Sequence, residues 1–140
     1  MKQLLSIAAL ALACLQASAQ APRDELYRAL GGQAGIARLN ADFVPRLFKN
    51  PRIQHFFANA SPENLQEQLS AQFCALSGGP CSYEGGDMQA VHADMGITRA
   101  HFNTLVEELQ AAMDATGIPF ATQNRLLALL APLHRDIVTR

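Results

Sequence analysis

Residues 73–102 read FCALSGGPCSYEGGDMQAVHADMGITRAHF, and the rest of the chain is organised around them. An apolar helix end runs into Gly78 and Gly79, a turn-rich segment follows, and a short apolar run then carries His92 before a new helix begins. Because Met88 and His92 are four residues apart, they share one face of a helix. The stretch therefore predicts a loop that delivers a single imidazole onto an apolar surface.

Helical periodicity dominates on both sides of this stretch. Ser61, with proline next to it, predicts the N-cap of the helix that ends at Gly78, and Thr98 and Thr122 are expected to cap the last two long helices. No stretch shows the period-two alternation of a strand, so we predict one all-α domain. The other predicted helices cover 23–30, 34–49, 53–57 and 88–95, with kinks at Pro45 and Pro132.

Composition limits the classes of protein to consider. The chain has 140 residues, enough for one domain, and its 49% hydrophobic content supports a core. The formal net charge of −1 gives no strong field to recruit nucleic acid, so no nucleic-acid partner is expected.

The amino terminus predicts a targeting segment. A charged start, an apolar run and Ala17-Ser18-Ala19 form a secretory signal peptide over residues 1–19, followed by one domain over 20–140. We expect a periplasmic or secreted protein, with lipoprotein anchoring at Cys14 as the less favoured alternative. No later stretch approaches the length of a membrane span, so an integral membrane protein is not expected.

Cys74 and Cys81 flank the Gly78-Gly79 turn, and export would place them in an oxidising compartment. One interpretation is a disulfide, and the other is two separate thiols with one buried on a helix. The pattern slightly favours the disulfide.

His92 is the candidate metal ligand. One imidazole without a nearby cluster of other donors cannot build a tetrahedral zinc site, which needs four ligands. One protein imidazole is sufficient for haem, because the porphyrin supplies the other four nitrogens. The chain has no C-x-x-C-H motif, so covalent c-type attachment is not expected.

Four segments resemble a known family: LYRALGG at 26–32, RIQHFF at 52–57, GGPCSYEGGDM at 78–88 and VHADMGITRAHF at 91–102. Together they are similar to the group 1 truncated haemoglobins, a family of bacterial globins, over essentially the whole chain after the leader. The resemblance implies a two-over-two helical sandwich around haem b, which is iron protoporphyrin IX.

The resemblance also implies roles for individual residues. His92 matches the iron ligand, and its other ring nitrogen should donate to a carbonyl. Phe57 matches an aromatic that stacks on the porphyrin, and Met88 touches the haem face on the His92 side. Phe73 matches a position that gates an apolar tunnel for diatomic ligands in some members. The positions that face the sixth coordination site are Leu65 and Leu69.

One position departs from the family pattern. Where the family commonly has a distal tyrosine, this chain has Val44, so the usual hydrogen bond to O2 has no obvious donor. Such a bond to a partly anionic acceptor contributes about 1.5–3 kcal/mol, so its loss predicts roughly tenfold to hundredfold faster O2 release. Gln68 and Gln72 are the candidate substitutes, and the alternative is that both simply face solvent.

The favoured function is reversible binding of O2, NO or CO at a His92-ligated haem. NO dioxygenation or a peroxidase-like reaction would be secondary to binding. NO dioxygenation would need electrons from an unknown reductase. The alternatives are a haem carrier or scavenger, and a haemless helical module that binds a partner or an apolar ligand.

Overall fold

The computed structural model describes residues 22–140, and these form helices joined by turns. The predicted leader at 1–19, with Cys14, lies outside the described residues. The helices are α1 (Glu25–Ala29), α2 (Gly32–Lys49), α3 (Pro62–Leu76), α4 (Met88–His92), α5 (Arg99–Ala115), α6 (Phe120–Leu130) and α7 (His134–Ile137), with 3₁₀ turns at Gln54–Phe57 and Ala131–Leu133.

The long helices form the predicted two-over-two sandwich. The central helix is α2, which packs against both α3 and α5, while α1 contacts α2 and α6. Fully buried apolar side chains fill the space between these helices, because each helix carries an apolar stripe at helical spacing. In the described part of the chain, no helix has the length and apolar character needed to cross a membrane. The buried core comprises Leu26, Leu30, Ile36, Leu39, Phe43, Leu47, Ile53, Phe73, Cys74, Leu109, Ala112, Met113 and Leu126.

Two of the predicted helix caps are present. Ser61 Oγ accepts a hydrogen bond from the backbone N–H of Asn64 at 3.2 Å, with Pro62 at the first helical position. Thr98 Oγ1 accepts from the backbone N–H of His101 at 3.2 Å and so begins α5. These caps satisfy amide donors that a helix start would otherwise leave unpaired.

The predicted cap at Thr122 is wrong. The helix α6 already begins at Phe120, directly after Pro119, and Thr122 is buried inside its first turn. Pro119 sets the backbone direction just before the helix, so a threonine hydroxyl is not needed to start it. The segment predicted as 88–95 is also shorter, because α4 ends at His92 and Asp94 adopts a positive φ of 61°.

The two prolines inside helices have different outcomes. The helix α2 continues through Pro45 to Lys49. At Pro132 the last helix tightens into a 3₁₀ turn over Ala131–Leu133 before α7 begins. Proline removes one backbone donor, and the 3₁₀ turn is one way in which a helix accommodates that loss.

Gly78 and Gly79 allow α1 to lie directly against the end of α3. Gly78 has φ +86°, and an added Cβ would overlap the carbonyl oxygen of Arg23. A Cβ on Gly79 would overlap the ring of Tyr27, whose backbone N–H donates to the carbonyl of Ser77 at 3.1 Å. The pair therefore supplies both a left-handed backbone and close helix contact, which only glycine combines.

Cys74 and Cys81 are joined by a disulfide, with their Cα atoms 6.1 Å apart. This separation lies within the usual range for a disulfide. Cys74 is buried in the core, whereas Cys81 is exposed on the loop that leads to α4. The bridge therefore ties the loop before His92 to the end of α3.

Candidate haem site

His92 is held in one orientation by its own helix. The helix α4 begins at Asp87, whose side chain accepts a hydrogen bond from the backbone N–H of Ala90 at 3.1 Å. Four residues after Met88, the Nδ1 atom of His92 lies 2.7 Å from the Met88 carbonyl oxygen. A carbonyl can only accept, so Nδ1 carries the proton and donates, as the family resemblance implies. The lone pair of the imidazole is therefore on Nε2, where a metal could bind.

The loop after His92 and the carboxyl end of the chain support α4. The helix α4 packs on α7. Beyond α7, the backbone N–H of Thr139 donates to the carbonyl of Ile97 at 2.9 Å. Gly96 has a positive φ of 66° in this loop, a conformation that glycine adopts without strain. The imidazole is thus positioned by contacts at both ends of its short helix.

The apolar residues predicted to enclose the cofactor differ in exposure. Val44 on α2 and Phe73 on α3 are fully buried. Leu65 and Leu69 lie one turn apart on α3 and are only half-buried. Phe57 is also half-buried and packs against Phe48, with ring centroids 5.5 Å apart. The five predicted positions thus combine a buried interior with a partly uncovered apolar face.

The two candidate glutamines take different positions. Gln72 Nε2 lies 3.9 Å from the Sδ atom of Met88 and so connects α3 with the helix of His92. Gln68 is half-buried on α3, one turn before Gln72. The structure links Gln72 and His92 through Met88, whereas no hydrogen bond within residues 22–140 joins Gln68 to these three residues.

These residues fit an iron porphyrin better than a bare metal ion. Among residues 22–140, no group of three or more histidine, cysteine, aspartate or glutamate side chains could hold a metal ion. His92 offers one oriented nitrogen, and porphyrin iron needs only one protein imidazole. Half-buried Leu65, Leu69, Phe57 and Met88 present apolar surface that a flat hydrophobic cofactor would cover. The donor set and its surroundings therefore agree with a haem site.

The sequence reasoning missed Asn40. This residue is fully buried on α2, one turn before Val44, and its Nδ2 donates to Ser70 Oγ at 3.0 Å. Within the described part of the chain, no group donates to its Oδ1. The sequence feature that could have identified it is an asparagine on the same helical stripe as the apolar residues Ile36, Phe43 and Val44.

The other three histidines have structural surroundings. His101 completes a capping box, because its Nδ1 accepts from the backbone N–H of Thr98 at 3.2 Å. His55 is exposed and lies against Phe56, with ring centroids 4.1 Å apart. His134 meets Phe102 edge to face at 4.9 Å. These contacts give all three side chains partners other than a metal.

Comparison with known proteins supports the same conclusion. The family model described as Bacterial-like globin matches residues 25–139. The Group 1 truncated hemoglobin GlbN of Mycolicibacterium paratuberculosis is 31% identical over 114 residues, which cover 81% of this chain and 84% of that protein. The corresponding protein of Synechocystis is 28% identical over 121 residues, covering 82% of this chain and 98% of that protein.

Solved structures agree with this relationship. The Fe(III) form of truncated hemoglobin from Tetrahymena pyriformis superposes with a TM-score of 0.78 at 25% identity, covering 82% of this chain and 98% of that one. The family match, the sequence identity and the shared helical sandwich extend over the same region as the site around His92. The chain therefore belongs to the group 1 truncated haemoglobins, within the bacterial-like globin family.

Proposed function

We propose that this chain binds one haem b through His92 and uses it to bind O2, NO or CO reversibly. The observation that carries the proposal is the hydrogen bond from His92 Nδ1 to the Met88 carbonyl, 2.7 Å long, which leaves Nε2 as the free donor nitrogen. When bound through His92, haem would supply an iron that can take up a diatomic ligand. The family's globin character supports gas binding as the general function.

The protein's own residues would orient the cofactor and exclude bulk water. Donation from Nδ1 to a carbonyl fixes the tautomer of His92 and makes the other nitrogen a better ligand. On the opposite side, Leu65, Leu69 and buried Val44 present only apolar atoms. Such a wall binds an apolar gas and disfavours competing water.

Absorption spectroscopy tests the ligand assignment. Purified protein titrated with haemin should develop a Soret band at one haem per chain, and His92→Ala should lose it. Added imidazole should restore part of the band in His92→Ala, because it can occupy the space of the missing ring. His55→Ala is the matched control, since His55 is exposed, and it should keep the full band. An unchanged spectrum in His92→Ala would refute the assignment.

The haem type has a separate test. Without a C-x-x-C-H motif, the porphyrin should be held only by coordination and packing. Extraction of the acidified protein with butanone should therefore transfer all haem to the organic phase. Haem that stays with the polypeptide would show a covalent link instead of haem b.

Ligand binding is proposed as the primary role, and NO dioxygenation as secondary. Repeated turnover would need a reductase that returns the iron to its ferrous state. Single-turnover reaction of the oxygenated protein with NO, followed by addition of a flavin reductase, separates these roles. Repeated conversion of NO without any electron donor would contradict the proposal that NO dioxygenation is secondary to ligand binding.

We also propose that the protein is exported after removal of residues 1–19. The disulfide between Cys74 and Cys81 supports this, because such bonds persist in oxidising compartments. Mass spectrometry of the protein recovered from the periplasm or the medium should find a chain that begins at Gln20. A full-length chain in the cytoplasm would contradict the proposal.

A further inference from the structure

Asn40 is a polar side chain sealed between α2 and α3. It has no solvent exposure, and its Nδ2 donates to Ser70 Oγ at 3.0 Å. Nothing in residues 22–140 donates to Oδ1, which is buried as well. Buried carboxamide oxygens in folded proteins are nearly always hydrogen-bonded, because desolvation without a partner is unfavourable. The carboxamide of Asn40 therefore needs a hydrogen-bonding partner from outside the protein chain.

The hydrogen-bonding groups of Asn40 and Ser70 indicate which molecule this partner is. The hydroxyl of Ser70 can donate or accept, so the hydrogen bond between the two side chains can run in either direction. In both directions, one end of the Asn40 carboxamide stays without a partner. Water satisfies either end, since it both donates and accepts, and small polar sites inside proteins commonly hold such a molecule.

Along both helices, the pair is close in sequence to residues assigned to the distal wall. Asn40 precedes Val44 by one helical turn, so both occupy the same buried face of α2. Ser70 is adjacent to Leu69 on α3, and it precedes buried Phe73 by three residues. A valine at position 44 is smaller than a tyrosine by more than the roughly 30 Å³ that one water occupies in the liquid. A tyrosine at this position would occupy that additional volume itself.

We infer that Asn40 and Ser70 hold an internal water molecule beside Val44, and that this water donates a hydrogen bond to the diatomic ligand. The inference rests on the proposed haem function for its second half only. The water replaces the hydroxyl that a tyrosine at position 44 would supply. The distal side is then less apolar than Val44, Leu65 and Leu69 suggest by themselves.

The water itself can be detected without haem. In the full chain, NMR cross-relaxation between solvent and the side-chain amide protons of Asn40 should reveal a long-lived water. Asn40→Leu removes these protons, and therefore Ser70→Ala is the informative variant, which should shorten the water's residence time. Absence of the wild-type signal would overturn the water site.

The ligand role is tested on the haem-loaded protein. Ser70→Ala and Asn40→Leu should each speed O2 dissociation roughly twofold to tenfold, the range expected from losing one ordinary hydrogen bond. The carbonyl stretch of the CO complex should rise in both variants and lose its sensitivity to D2O. Thr104→Val is the matched control, because Thr104 is also fully buried but its hydroxyl donates to the Ala100 carbonyl within its own helix, at 2.9 Å.

The two halves of the inference have separate failures. A long-lived water together with unchanged O2 dissociation and CO stretch in both variants would overturn the ligand role. Wild-type protein that takes up no haemin would refute the proposed function, while the NMR signal would still decide the water site. Because Ser70→Ala removes only a half-buried hydroxyl, it keeps the test valid if Asn40→Leu fails to fold.

Discussion

Reduction of the disulfide between Cys74 and Cys81 should destabilise the fold by a magnitude that follows from the loop it closes. The two cysteines are separated by 7 positions in the sequence. For a closed loop of about eight residues, the chain-entropy relation gives about 2.5 kcal/mol at 298 K. The bond restricts the unfolded chain, so its loss should stabilise the unfolded state more than it disturbs the native state.

This free energy converts into a melting temperature. A domain of roughly 120 residues unfolds with an entropy of about 250 cal/mol/K near 60 °C, so 2.5 kcal/mol corresponds to a decrease of about 10 °C. Circular dichroism should show this decrease for Cys81→Ser and for wild type in reductant. All samples should be compared in the same haem state, because a bound ligand raises the melting temperature.

Burial provides the internal controls. Cys81 is exposed, so Cys81→Ser breaks the bridge and little else. Cys74 is only 8% exposed and belongs to the core, so Cys74→Ala should cost more than Cys81→Ser. The double variant should equal Cys74→Ala, because both substitutions remove one bond. Reductant should leave the melting temperature of Cys81→Ser unchanged.

Two results would refute the reasoning. Thiol titration of the purified, unreduced protein should find no free thiol at these positions, and two reactive thiols would contradict the bond itself. If the bond is present but reductant leaves the melting temperature within about 2 °C, the loop does not constrain the unfolded chain as the relation assumes.

Three further predictions follow from individual positions. Gly78→Ala should lower the free energy of unfolding by more than about 2 kcal/mol, because the new side chain would combine a positive φ with overlap of a backbone carbonyl. Gly117 has only the positive φ, so Gly117→Ala should cost about 1 kcal/mol. Urea titrations that give equal losses for the two variants would contradict this reasoning. Leu126→Ala should cost about 2–5 kcal/mol in the same assay, since Leu126 is completely buried, and a loss below 1 kcal/mol would show that the core collapses around it. In an Asn40→Leu background, where no internal water is held, Val44→Tyr should slow O2 release roughly tenfold to hundredfold in stopped-flow measurements, and an unchanged rate would remove the argument about the missing distal donor.

Local signals in the sequence predicted much of the fold. The caps at Ser61 and Thr98 follow from side chains that satisfy nearby backbone donors, so neighbouring residues suffice to identify them. The stop at Gly78 and the tightening at Pro132 depend on single residues with restricted or unusual backbone geometry. Thr122 does not cap α6, because Pro119, three residues earlier, already stands directly before the first turn of this helix.

The candidate site was predicted unevenly. The family resemblance implied that the second ring nitrogen of His92 donates to a carbonyl, and the structure identifies this carbonyl as that of Met88, one helical turn earlier. The approach of Gln72 to Met88 could not be predicted, because it joins two helices separated by a long loop. The hydrogen bond between Asn40 and Ser70 could not be predicted either, because the two residues are 30 positions apart in the sequence.

By itself, the sequence determined that this chain forms helices and where most of them begin and end, because these depend on side chains within one or two turns of each other. That His92 is the imidazole presented to an apolar surface stays a prediction. Only the tertiary structure decided that Gly78 and Gly79 seat α1 on α3, that the cysteines lie within bonding distance, and that Asn40 is enclosed with one hydrogen-bonding atom unpaired. These depend on distances between distant segments, which packing fixes and spacing does not.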